Sequence, residues 1–567
     1  MGGQNHAPLS SFWDCNIPCF QLPKCQIFAT LLFQLPTMKK INYTFTFLAI
    51  CLLSACTPRI APPPKVPTVQ KAAECPREVR FAILQLNDVY EISPLDNGKF
   101  GGMARVATVR NELIAMGQPV ITVLDGDYLN PSLIGSLKCD FPDGSKERVN
   151  GRHMVDVMNV LGVDYVTFGN HEFDLKADDL IARNNESKFK IISANVRYAA
   201  DKGIVRFFQG ENMVPDYWVH RIANDKGDTL KLGLLGLTLP FNQQSYLQYL
   251  DIYETGKNIL SEAQKESDVV FGITHLTMGQ DDTLAQKVPG MPLIMGGHEH
   301  SNMTRQVGGT KICKADANAK TVYIHWCKYD FTTGKMEIYS QLMPVTEAIQ
   351  SDPTVDKVVQ KWESFANECM ASQGYAADDT IGFAMVPLDG RDASVRTGPT
   401  NLGTLICDAM QAIDPRVQIA LLNSGSIRLD DQISGFVKQR NILASLPFGG
   451  DVQVGEVKGS DLKQLLDTGL SEEMHWSGAF LQHSSKLEQS GSTYLIDGKA
   501  LDENAKYWVI MPGFLAGGGE AALSFVKDFA TWADPDMQAA SASGLQQNDI
   551  RDIVIWFMKQ NYTPTTD

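Results

Sequence analysis

Hydrophobic and polar positions along this chain repeat one arrangement: a short unbroken apolar run, then a polar cluster rich in glycine, aspartate and histidine. Residues 81–86 lead into Asn87 and Asp88, residues 120–124 into Asp125, Gly126 and Asp127, and residues 165–168 into Gly169, Asn170 and His171. Residues 269–273 lead into Thr274 and His275, and residues 293–295 into Gly296, Gly297, His298, Glu299 and His300. Runs of this length, bounded by glycine and polar residues, predict buried strands. Residues 104–116 and 154–161 are helix-like, so the alternation predicts an α/β domain. Ligands of open sheets gather beyond strand ends, so five strand ends carrying metal-type ligands point to one shared site.

Further along, Asp352 followed by Pro353 is a helix-start signal. Val355, Val358, Val359, Trp362, Phe365, Ala366 and Cys369 then recur at helical spacing and predict a connecting helix docked by one face. That divides the chain into a first folded domain over 78–345, a linker over 346–378 and a second domain over 379–567. The 567 residues, 44% of them hydrophobic, suffice for two sizeable cores. A formal net charge of -15 argues against a nucleic-acid polymer as partner, since that needs a basic face. An anionic substrate must then be drawn by metals and arginines. No protein partner is indicated.

The N-terminal region reads as an address. Met38, Lys39 and Lys40 open a basic segment, residues 45–53 are apolar, and Leu53, Ser54, Ala55 and Cys56 match a bacterial lipobox. The segment 38–56 resembles lipoprotein signal peptides, which implies cleavage before Cys56, lipidation of its thiol and a place in the bacterial cell envelope, periplasmic or on the cell surface. Residues 1–37 make no sense as a leader and read as an upstream extension. Residues 57–77 are proline-rich and predict a semi-rigid tether. Cys75, Cys139, Cys313, Cys327, Cys369 and Cys407 follow, at spacings that leave disulfide connectivity open.

Carboxylate and amide oxygens from Asp88, Asp127 and Asn170, mixed with imidazoles from His275, His298 and His300, suit Zn, Mn or Fe better than Ca. Two ions close together need a bridging carboxylate, and Asp127 is the natural bridge.

With their order and spacing, Asn87-Asp88-Val89-Tyr90, Gly126-Asp127, Gly169-Asn170-His171-Glu172-Phe173-Asp174, Thr274-His275 and Gly297-His298-Glu299-His300 resemble the signature blocks of calcineurin-like metallophosphoesterases. Residues 391–396, 400–403, 423–428, 447–449 and 514–519 resemble the C-terminal domain of the 5′-nucleotidase and UDP-sugar hydrolase branch. The resemblance implies an α/β (α+β) fold: an N-terminal four-layer metallophosphoesterase β-sandwich flanked by helices, a linking helix, and a C-terminal α/β substrate-binding domain.

Position by position, the resemblance implies two divalent metal ions, one on Asp88, Asp127 and His300, the other on Asp127, Asn170, His275 and His298. His171 lies beside them, oriented by Asp174, and stabilises charge on the phosphoryl or leaving group while a metal-activated water attacks phosphorus in line. It further implies that Phe448 and Phe514 stack on a nucleobase, that Arg391, Arg396 and Arg428 meet phosphate or ribose, and that Asn423 contacts the base. The linking helix, residues 351–372, is the hinge candidate on the same ground.

Three positions depart from the family pattern. Tyr90 stands where histidine is usual, and is either a phenolate metal ligand or an aromatic packing residue. Pro399 and Glu520 replace a glutamate and an aspartate near the substrate loops. The leading expectation is a lipid-anchored phosphohydrolase of extracytoplasmic nucleotides, with UDP-sugars and cyclic nucleotides as further candidates. The alternatives are a thiosulfohydrolase-like enzyme with the same two domain types and a catalytically decayed nucleotide-binding lipoprotein.

Overall fold

The computed structural model describes residues 77–562, except 201–202, 242–243 and 492. The signal segment, Cys56, the tether and Cys75 lie outside the described residues. Among the described residues no helix is long and apolar enough to cross a membrane.

Twelve strands build two six-stranded sheets. They are β1 (Glu78–Leu86), β2 (Val120–Leu124), β3 (Tyr165–Val166), β4 (Lys190–Ile191), β5 (Tyr217–Ala223), β6 (Thr229–Thr238), β7 (Val269–His275), β8 (Leu293–Gly296), β9 (Met303–Val307), β10 (Thr310–Lys314), β11 (Thr321–Asp330) and β12 (Lys335–Pro344). One sheet has the order β12-β11-β1-β2-β3-β4 and the other β5-β6-β7-β8-β10-β9. Strands β1 to β4 run parallel, as do β6, β7, β8 and β10, with antiparallel strands at the margins. The sheets pack face to face. Phe81, Ile83, Ile121 and Val123 of the first share a core with Leu232, Leu234, Phe271 and Ile273 of the second, each side contributing alternate residues as a pleat requires. The opposite face of the second sheet is closed by the helix Ile252–Glu266, with Leu235, Leu237 and Val270 packed against Ile252, Leu260 and Ala263. Helix α1 (Met103–Ala115) lies over the first sheet and joins a helical layer with Arg152–Leu161 and α2 (Pro353–Ser372). The result is the four-layer sandwich that the motifs imply.

The third strand is shorter than its apolar run. The chain leaves the sheet after Val166 so that Gly169 can press against Gly126, where a β carbon would fall 2.6 Å from the Gly169 nitrogen.

Helix α2 starts as its sequence dictates: the Asp352 carboxylate accepts from the Thr354 and Val355 amides (2.9 and 3.0 Å), and Pro353 takes the first turn. It is stapled to the first domain. Cys369 forms a disulfide with Cys139, Trp362 Nε1 donates to Asp156 at 3.0 Å, and Phe365 packs on Phe141. The same helix also meets the second domain, where Arg440 Nη2 donates to Asn367 Oδ1 at 2.7 Å. Cys313, Cys327 and Cys407 are buried free thiols.

Beyond α2, strand Ile419–Asn423 lies between Lys506–Pro512, parallel to it, and Leu481–His483, antiparallel; Val452–Lys458 completes this sheet on the far side of Lys506–Pro512. Helices Asn401–Ala412 and Ile550–Asn561 cover one face and Gly459–Gly469 the other.

Candidate metal centre and substrate pocket

The ends of β1, β2, β7 and β8, together with the loop after β3, bring the predicted ligands to one point. Asp88, Asp127 and His275 are buried, and each offers a ligand atom within 4.8 Å of the others. Asp127 Oδ2 lies 3.2 Å from His275 Nε2, and Asp88 Oδ1 lies 3.9 Å from that nitrogen and 3.8 Å from His300 Nε2. His298 Nδ1 stands 3.2 Å from Asn170 Oδ1. Asp88, Asp127 and His298 all hold left-handed backbone (φ 51°, 57° and 84°), strain of a kind that gathers at functional sites.

Three of the predicted ligands are held from behind. His275 Nδ1–H donates to the Asp125 carbonyl at 2.7 Å, which turns Nε2 to the centre. Asp88 Oδ2 accepts from Asn87 and from the His298 amide (2.8 and 2.9 Å), while Asp127 Oδ1 accepts from the His171 amide at 2.8 Å. The motif reading missed two buried groups behind them. Glu172 accepts from the amides of Gly169, Asp127, Tyr128 and Leu129 at 2.6–3.0 Å and so locks two ligand loops together. Lys314 donates to the Gly297 carbonyl at 2.8 Å and pairs with Glu299 and with Asp281, fixing the loop that carries His298 and His300. Glu172 stands inside a ligand motif, but nothing in the sequence around Lys314 marks it out.

The donor set fits a cation. Asp88 Oδ1 and His275 Nε2 are buried with no hydrogen-bond partner, and unpaired buried polar atoms are costly. Burial alone would raise the Asp127 carboxyl, yet His275 and His171 hold it far below the carboxylate range. Burial would lower the His275 imidazole, yet Asp127 and Asp88 hold it up at about 10. The cluster thus calls for positive charge.

Tyr90 joins the cluster as a hydrogen-bond donor. Its hydroxyl donates to Asp127 Oδ2 at 3.0 Å and lies 3.2 Å from His300 Nε2. Burial and the carboxylates of Asp127 and Asp88 push the phenol well above its ordinary value.

His171 sits at the rim, its Nδ1 2.6 Å from Asp174 Oδ2, and Asp174 also accepts from Asn130 at 2.9 Å. Arg428 reaches across from the C-terminal half to within 3.3 Å of His171 Nε2. From the same loop, Asp430 Oδ2 lies 3.2 Å from His300 Nδ1. A cavity here is bounded by Tyr90, His300, Asp392, Arg428 and Asp430.

The other substrate candidates spread outward. Phe448 is 43% and Phe514 56% exposed. Phe448 precedes and Phe514 follows two paired strands whose neighbouring ends are Val452 and Pro512, so both rings leave one end of the sheet. The Phe448 ring lies under the Arg428 guanidinium, 5.8 Å from its centroid. Arg396 pairs with Asp392. Asn423 is buried, its Oδ1 accepting from Ser426 Oγ at 2.8 Å. Arg391 is bound by Asp389, half exposed, and does not line the cavity beside Tyr90.

Comparison with known proteins agrees with this layout. Residues 81–302 match the calcineurin-like phosphoesterase family and residues 380–527 the 5′-nucleotidase C-terminal domain. The chain belongs to the calcineurin-like phosphoesterases that carry a 5′-nucleotidase C-terminal domain. It is 26% identical over 529 residues to the snake venom 5′-nucleotidase of Naja atra, covering 81% of this chain and 94% of that one. It is 28% identical over 372 residues to the trifunctional nucleotide phosphoesterase protein YfkN of Bacillus subtilis, covering 59% of this chain but 25% of that protein. The 5′-nucleotidase precursor from Thermus thermophilus has the same fold, with a TM-score of 0.67 at 22% identity, covering 86% of this chain and 97% of that one.

Proposed function

We propose that this protein is a metal-dependent 5′-nucleotidase, releasing phosphate from nucleotides outside the cytoplasm. The observation that carries it is the contact between Arg428 and His171, which joins the metal-type cluster to the domain bearing Phe448 and Phe514 in one site. In this reading Asp88, Asp127 and His300 hold one divalent ion, and Asp127, Asn170, His275 and His298 another. When bound, the ions act as Lewis acids on a phosphoryl oxygen and lower the pKa of water.

The chain's own residues supply the rest. Asp174 accepts a hydrogen bond from His171 Nδ1–H and fixes the ring, leaving Nε2 beside Arg428. His171 and Arg428 then meet negative charge as it develops on the phosphoryl oxygens or leaving group. Tyr90 steadies the bridging carboxylate Asp127 through its hydroxyl. Phe448 and Phe514 stack on the base, Asn423 supports base recognition, and Arg396 with Arg391 meets ribose or phosphate. The disulfide Cys139–Cys369 supports an oxidising compartment, in keeping with export and a lipid anchor at Cys56.

The retained His171–Asp174 pair favours an enzyme over a decayed binder, and the two exposed phenylalanines favour nucleotides over a thiosulfate ester. The test is phosphate release by residues 57–567 from AMP beside 4-nitrophenyl phosphate, with manganese or zinc supplied and UDP-glucose and a cyclic nucleotide in parallel. Faster turnover of AMP supports the reading. Activity on the aryl ester alone removes the nucleotide assignment, and no release from any substrate removes the enzyme.

A further inference from the structure

Trp476 has no part in the pocket as read so far. It is 67% exposed and holds φ at 65°, a region that disfavours any bulky side chain. The other non-glycine residues at positive φ among the described residues are aspartates, asparagines, one histidine and one alanine. A tryptophan stays there only where its surroundings dictate the backbone, and here they do. The Trp476 amide donates to the Arg396 carbonyl at 2.9 Å, Ser424 Oγ to the Ser477 carbonyl at 3.0 Å, and the Gly425 amide to the Gly478 carbonyl at 2.9 Å. The segment is therefore bound to Arg396 and to the turn after Asn423, both of which carry candidate substrate contacts. A β carbon on Gly478 would stand 3.7 Å from Arg396 Nη1 and 3.8 Å from Glu520 Oε2, so this backbone runs close beside the Arg396 guanidinium.

We propose that Trp476 is a specificity-determining residue, a third aromatic surface for the nucleoside half of the substrate beside Phe448 and Phe514. The proposal rests on the nucleotide reading above. Strained backbone and an exposed indole both cost stability, and a stacked base gives the ring a partner.

The test compares AMP with ribose 5-phosphate, which keeps sugar and phosphate but has no base. Trp476→Gly suits the observed φ without strain, so its Tm should hold or rise. Its preference for AMP should fall about tenfold through KM, within the range of one lost base stack, with kcat and the turnover of ribose 5-phosphate kept. Trp476→Phe should restore most of the preference. Adenosine should quench an indole signal in the wild type that is missing in Trp476→Phe. The proposal is overturned if Trp476→Gly keeps the wild-type preference, loses both substrates equally, or drops Tm by several degrees. A wild type with no preference for AMP over ribose 5-phosphate defeats the nucleotide reading and this proposal together; a wild-type preference that survives in the variant defeats this proposal alone.

Discussion

The metal-type cluster and the aromatic pocket are built by opposite means. Asp88, Asp127 and His275 are 0–1% exposed and each is fixed by a second hydrogen bond. They leave the ends of parallel strands whose packing tolerates little movement. Phe448 and Trp476 lie on loops and Phe514 in the short helix Gly513–Ala516 beside a different sheet, and all three residues are exposed. Chemistry that needs ligand atoms placed to a few tenths of an ångström is assigned to the rigid part. On the proposed reading, recognition of a flat base, which tolerates sliding, falls to these exposed aromatics. Arg428 joins the two, carried on the second and touching the first.

Removing a ligand should break the rigid half. For Asp127→Ala we expect the cluster to lose metal, measured by elemental analysis after dialysis, and activity to fall by about a thousandfold or more. A variant that keeps its metal and most of its activity would show that Asp127 does not bridge.

His171→Ala asks whether chemistry and metal binding separate within that half. Here kcat should fall about a hundred- to a thousandfold while metal content stays at the wild-type level. Loss of metal as well would make His171 part of the ligand scaffold, and its assigned part in charge stabilisation would be wrong.

The loop half should fail differently. Phe448→Ala combined with Phe514→Ala should raise KM for AMP on the order of tenfold or more, since each stack is worth about 1–3 kcal/mol, and should leave ribose 5-phosphate untouched. Equal loss on both substrates would remove the stacking assignment.

The cluster was legible because its chemistry admits few residue types, and those fall directly after apolar runs where a strand must end. The two sheets and the capped helix α2 were legible for the same local reason. What holds the ligands was not. Glu172 reads as one more acid in a motif, and only the folded chain turns four amides toward it. Lys314 reads as an ordinary strand-end lysine, yet it is buried behind the ligand loop. The Cys139–Cys369 disulfide joins residues 230 positions apart, which no spacing rule reaches. Trp476 carries no motif at all, because backbone strain is a property of the fold.

The smallest predicted effect concerns stability of the rigid half. His153 and His325 are buried there, and burial holds both imidazoles down at about 3. Their hydrogen-bond partners carry no charge: Ser132 Oγ lies 3.2 Å from His153, and Ser340 and Gln85 lie 2.9 and 2.7 Å from His325. In the unfolded chain both titrate near 6.5. Between those values the unfolded state binds the extra proton, so stability rises with pH across that window and is lost as pH falls below about 6.5. At pH 5 each should cost on the order of 2 kcal/mol relative to neutral pH, from about 1.36 kcal/mol per pH unit. His153→Leu and His325→Gln remove the titrating group. Whatever they do at pH 7, urea melts at pH 7 and pH 5 should show a smaller acid penalty for either variant than for the wild type. An unchanged pH slope would mean that these imidazoles take up a proton inside the folded sandwich, and that the packing around the first sheet is looser than the fixed metal-type ligands require.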